Sequence, residues 1–106
     1  MAKYLIEGSY TTEGIKGVLK EGGTGRRDAV AAALKGLGGR IEAMYYAFGE
    51  TDVYVIIEAP DNVTAAALAM GVAATGTVGI KTSVLLSIEE IDQASKKTLS
   101  YRPAGH

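Results

Sequence analysis

A chain of 106 residues is long enough for one domain and too short for two. Hydrophobic residues make up 47% of it, which offsets chain entropy and excludes a disordered chain. Eleven Lys and Arg against 12 Asp and Glu leave no net basic surface for nucleic acid, and zero Cys excludes disulfides, iron–sulfur clusters and thiolate zinc sites.

Residues 3–10 read as a strand, with Tyr4, Ile6, Gly8 and Tyr10 on one face and Leu5, Glu7 and Ser9 on the other. Thr11-Thr12 offers an N-cap hydroxyl, and Ile15, Val18 and Leu19 follow at helical spacing, so the pattern predicts a helix over 12–21. Gly22-Gly23-Thr24-Gly25 ends it. Val30, Ala31, Leu34 and Leu37 stripe a second helix over 26–37, stopped by Gly38-Gly39. The first crossover is thus a helix broken by a glycine loop, or two helices in series.

Residues 40–48 form an aromatic-rich strand, with Met44, Tyr46 and Phe48 on one side and Ile41, Ala43, Tyr45 and Ala47 on the other. Gly49-Glu50-Thr51 is a turn of hairpin length, and 52–59 is the next strand, most apolar over 53–57. Pro60-Asp61-Asn62 opens an alanine-rich helix over 62–74, which Thr75-Gly76 ends. Residues 78–86 give a last strand. Ser87-Ile88-Glu89-Glu90 is a capping box for a helix reaching about Lys97. Residues 1–98 are expected to be one domain and 99–106 an extended tail.

The order β-α-β, β-α-β, helix predicts an α+β fold, the ferredoxin-like βαββαβ arrangement with a four-stranded antiparallel sheet. Its helices cover one face of the sheet. Alternation places Tyr4, Tyr10, Tyr46, Phe48 and Tyr54 together on a face, and a reverse face this apolar is expected to pair with a second copy. The expected partner is therefore the chain itself, as a homodimer or higher homo-oligomer. Met1-Ala2-Lys3-Tyr4 runs straight into the apolar pattern, which reads as no signal peptide. No apolar run approaches the roughly 20 residues of a membrane span, so the expected location is cytoplasmic, with no membrane or nucleic-acid partner.

Four segments carry a family resemblance: Tyr4-Leu5-Ile6, Tyr10-Thr11-Thr12-Glu13-Gly14-Ile15-Lys16-Gly17, Gly22-Gly23-Thr24-Gly25-Arg26-Arg27 and Phe48-Gly49-Glu50-Thr51-Asp52-Val53-Tyr54. Together they resemble the GYD domain family of small bacterial proteins. The resemblance implies a ferredoxin-like fold akin to the dimeric α/β barrels, and no catalytic residues come with it.

Three groups of residues are candidates for chemistry. Arg26 and Arg27 follow the glycine run at a helix start, where free N–H groups and guanidiniums attract a carboxylate or phosphate. The bland alternative is a pair of helix ends with solvated arginines. Tyr10, Tyr46, Phe48 and Tyr54 would line a cleft for a flat or aromatic ligand, or else form core and subunit interface. Asp52 and Lys16 lie near these rings. Asp52 is a candidate general base if buried, and a turn residue accepting backbone N–H bonds if not. Lys81, inside the last strand, is expected to snorkel or to pair with a strand neighbour such as Glu7. His106 is the only histidine and the last residue, which argues against a haem ligand or a Ser-His-Asp triad inside the fold. Glu89, Glu90 and Asp92 suit a helix start better than a metal. The expectation is a small-ligand-binding domain with no cofactor and no metal. The alternatives are a cofactor-independent, monooxygenase-like enzyme of the dimeric barrel type, or a purely structural oligomerisation module.

Overall fold

The computed structural model describes all 106 residues. In chain order the elements are β1 (Ala2–Tyr10), α1 (Thr12–Gly36), β2 (Arg40–Tyr46), β3 (Val53–Ala59), α2 (Asn62–Ala73), β4 (Val78–Leu85) and α3 (Ile88–Ser95). The strands form one sheet in the order β2-β3-β1-β4, every neighbouring pair antiparallel. This is the ferredoxin-like α+β arrangement expected from the element order. No helix is long and apolar enough to cross a membrane.

Local chemistry sets the helix boundaries. The Thr11 hydroxyl accepts from the Gly14 N–H at 3.2 Å and starts α1. Asp61 caps α2 by accepting from the Thr64 N–H at 2.8 Å. Ser87 and Glu90 form the reciprocal capping box of α3. The expected four-residue loop inside the first crossover is absent. Only Gly22 leaves helical geometry, at φ 74° and ψ 172°, a conformation open to glycine and strained for other residues. Residues 23–25 belong to the second half of the helix, and an ion pair from Arg26 to Glu21 spans the kink.

The core lies between the sheet and α1 and α2. Tyr4, Leu34 and Ile57 are fully enclosed, and Ile6, Val53, Val55, Ala59, Ala65, Leu68 and Val78 complete the buried apolar set. Burying one such aliphatic side chain stabilises the fold by about 1.5–3 kcal/mol. The Tyr4 hydroxyl donates to Asn62 Oδ1 at 2.6 Å, so its polar end is satisfied.

The structure corrects the expected face of the aromatic residues. Tyr4 pairs with Ile57 and Tyr46 with Val53, which places both on the helix-covered face. Tyr10, opposite the buried Val78, shares that face. Tyr54 pairs with Glu7 and lies on the reverse face beside Tyr45. Phe48 lies beyond the end of β2, fully exposed in the hairpin turn. Ile41 also moves: the register shifts between Ile41 and Ala43, and the extra residue turns Ile41 toward the helices together with Met44.

The reverse face is consequently mixed, not apolar. Leu5, Ile56, Tyr45 and Tyr54 alternate there with charges. Lys3 reaches Glu42 at 2.7 Å and Glu58 at 3.8 Å, and Arg40 pairs with Glu58. Lys81 is the direct cross-strand neighbour of Glu7, without an ion pair between the two side chains.

Candidate functional site

A chamber of about 190 Å³ opens between the helix-side face of the sheet and the two crossover helices. Its floor is Ile6, Val53, Val55, Val78 and Ile80, contributed by β1, β3 and β4. Leu68 and Val72 of α2 form one wall. The other wall is a face of α1 read at positions 13, 14, 17 and 21, which helical spacing brings together. An apolar cavity of ~150 Å³ holds a benzene ring, so this chamber suits a molecule of about one ring with short substituents.

Two glycines shape that wall in opposite ways. A Cβ added to Gly14 would stand 1.9 Å from the Thr77 carbonyl oxygen, so only glycine lets α1 approach the start of β4 this closely. The Thr11 N–H donates to that same oxygen at 2.9 Å and holds the helix in place. A Cβ added to Gly17 would meet nothing within 4 Å. Gly17 costs the helix about 1 kcal/mol relative to alanine and keeps the chamber wide.

The polar residues gather at one end. The Tyr10 and Tyr46 rings stack with centroids 6.4 Å apart and planes inclined by 12°, and their hydroxyls lie 3.5 Å apart. Gly23 lies beneath the Tyr46 ring; a Cβ there would sit 3.6 Å from Cε2. Arg26 donates to Glu21 Oε2 at 3.0 Å, and Glu13 is the further acid on the wall. Burial raises the Tyr10 phenol well above the ordinary tyrosine range; the Tyr46 hydroxyl reinforces this, and the Arg26 charge opposes it weakly. The hydrogen bond to Glu21 holds the Arg26 guanidinium more firmly charged. The lining as a whole carries two acids, Glu13 and Glu21, against one arginine.

Of the sequence candidates, Tyr10 and Arg26 line the chamber, and Tyr46 joins them from outside the lining by stacking on Tyr10. Asp52 supports them from behind. Its carboxylate accepts from the Tyr10 N–H at 2.9 Å, its own N–H donates to the Gly8 carbonyl at 2.8 Å, and its carbonyl accepts from Ala47. That makes Asp52 the turn residue among the two readings, and a carboxylate engaged with backbone is not free to act as a base. Arg27 turns to Asp28 at 3.3 Å, away from the chamber. Lys16 is exposed on α1, Phe48 stands in the hairpin turn and Tyr54 lies across the sheet. No group of three or more acids and histidines is placed to hold a metal ion. Sequence reasoning missed Glu13, Gly17 and Glu21. Their spacing of four, on the segment that opens the first crossover helix, was the available signal.

Fold and site together define a small α+β domain with a single-ring-sized, apolar chamber between its helices and its sheet. The GYD domain matches residues 4–95, and the chain belongs to that family. No curated protein and no solved structure matches it.

Proposed function

We propose that the protein binds a small, uncharged, ring-sized molecule in the chamber, with a carbonyl or hydroxyl group of the ligand directed at Tyr10 and Tyr46, and that it works as a homo-oligomer. The observation that carries this reading is the pairing of an apolar chamber with stacked tyrosines and an already neutralised arginine at one end. Apolar lining with a few convergent polar groups is the usual composition of a ligand pocket. A hydroxyl pair donates or accepts as the ligand requires. An anion is disfavoured, because Arg26 is paired with Glu21 and Glu13 adds a second negative charge. The enzyme alternative loses its base with Asp52 tied to Tyr10.

The test is thermal melting with a panel of monocyclic compounds matched in size. Benzaldehyde, acetophenone and phenol are expected to raise the melting temperature in a concentration-dependent way, and benzoate much less. Saturation at about 100 times Kd contributes about 2.7 kcal/mol of apparent stability. Flat curves for every neutral ring, or a larger shift for benzoate, refute the proposal.

A further inference from the structure

We infer that two copies of this chain exchange their C-terminal arms, with α3 of each copy seated in the groove between α2 and β4 of the other. The inference develops the homo-oligomer half of the proposed function and is independent of the ligand.

The observations start with α2. Its twelve residues contain no charged side chain, yet Val63 is 79% and Met70 72% exposed, with Ala66 and Ala67 open beside them. A helix apolar on all sides belongs in an interior. Next to it runs a groove floored by Tyr4, Ala65, Ala69 and Val84. The alanines leave room for another helix to approach closely.

The matching element is α3. It has eight residues and none is buried. Ile88 and Ile91 stand three apart on one side, 79% and 50% exposed, while Glu89, Glu90 and Asp92 occupy the rest. Leu99 and Tyr101 extend the apolar line into the tail and are equally bare. An isolated helix of this length is marginal in water and needs packing of an apolar face to persist. The arm also lengthens the molecule. The radius of gyration is 16.8 Å and the long axis 55 Å, whereas a chain of this size packed on itself has a radius near ~13 Å.

The occupant is a second copy because of the connection and the area. Only Leu86 and Ser87 separate β4 from α3, and Ser87 is locked in the capping box. A short, stiff hinge favours exchange over folding back. The bare apolar residues of α2, β4, α3 and the tail are each between 50% and 80% exposed. Two reciprocal arm-in-groove contacts would therefore bury about 1,000–1,200 Å² in all, the lower bound of a specific interface.

Analytical ultracentrifugation of the full chain tests this with two double variants at exposed positions: Ile88→Glu with Ile91→Glu on the arm, and Ala66→Glu with Met70→Glu in the groove. Wild type is expected to sediment at twice its 11.0 kDa mass. Each double variant is expected to dissociate at least tenfold more readily, with a circular-dichroism spectrum that loses no more than the helical signal of the eight α3 residues. An equal mixture of the two is expected to associate more than either variant alone and less than wild type, because one of the two arm-in-groove contacts remains intact in the mixed pair. As a readout that perturbs packing little, Ile91→Cys and Ala66→Cys chains, in a protein with no native cysteine, are expected to cross-link to each other on oxidation and not to themselves. Wild type that is monomeric, whether extended or compact with α3 folded onto its own groove, overturns the inference. So does a dimer indifferent to both double variants, or a failure of the mixed cysteine pair to cross-link. A monomer would also remove the homo-oligomer half of the proposed function. An indifferent dimer would remove only the arm exchange, and neither result touches the melting shifts that test the ligand.

Discussion

Gly14 and Gly17 lie three residues apart on one face of α1, and replacing each by alanine is expected to have opposite effects. In a helix interior alanine is favoured over glycine by about 0.8–1 kcal/mol. At Gly17 the new methyl meets nothing within 4 Å, so nothing offsets that gain. Gly17→Ala is therefore expected to raise the melting temperature by about 4–8 °C, the shift that ~1 kcal/mol produces in a domain near this size. At Gly14 the methyl would fall 1.9 Å from the Thr77 oxygen, a backbone atom already fixed by the Thr11 N–H. Overpacking of this kind costs about 1–3 kcal/mol. Gly14→Ala is expected to lose stability on balance, as α1 is lifted from the start of β4. A third variant, Gly17→Leu, fills the chamber while keeping the fold and is expected to abolish the melting shifts produced by neutral ring compounds. Circular-dichroism melts of the three variants, with and without acetophenone, measure all of this. The reasoning fails if Gly17→Ala melts lower than wild type, if Gly14→Ala melts higher, or if Gly17→Leu responds to ligand as wild type does.

Other outcomes follow from single contacts. Asp52→Ala leaves the Tyr10 N–H without its acceptor and is expected to cost about 1–2 kcal/mol, read from the urea midpoint. Burial raises the Tyr10 phenol, so the folded state holds that proton more tightly than the unfolded chain. Its contribution is complete below the ordinary phenol value near pH 10 and is lost as pH rises toward the raised folded value. In Tyr10→Phe the loss of stability above pH 10 is expected to be shallower, measured by alkaline denaturation. The Thr64 N–H and hydroxyl lower the Asp61 carboxyl below the ordinary range. Its contribution is present above about pH 4 and disappears as pH falls through the lowered value. Asp61→Asn is expected to flatten the acid limb of the stability profile, followed by urea unfolding at pH 2 to 5.

Much of the fold was legible because local rules carried it. The Ser87 capping box, the Asp61 start of α2 and the alternation in β1 each depend on residues a few positions apart, and the structure places them as the spacing implies. Faces across strands were harder. Simple alternation from Ile41 to Met44 puts them on opposite sides, but the register shift between Ile41 and Ala43 undoes that parity, and nothing local marks it. Placing Tyr4 and Tyr54 on one face failed for a related reason. Which face a strand turns to the helices depends on its pairing partner, and that is set by distant residues. In the site, Tyr10, Tyr46 and Arg26 were visible as residue types suited to binding. Glu21 was not, because its importance comes from meeting Arg26 across a kink that only the left-handed backbone at Gly22 creates.

That kink sets the line of the chamber's α1 wall. The opening turns of α1 are fastened at Thr11 and Gly14 to the start of β4, and the far half is fastened by Leu34 in the core. Between these two anchors only the Gly22 torsions depart from the rod. The line of the wall between those anchors therefore turns on a single peptide unit, and a side chain at position 22 would strain the one joint that sets it.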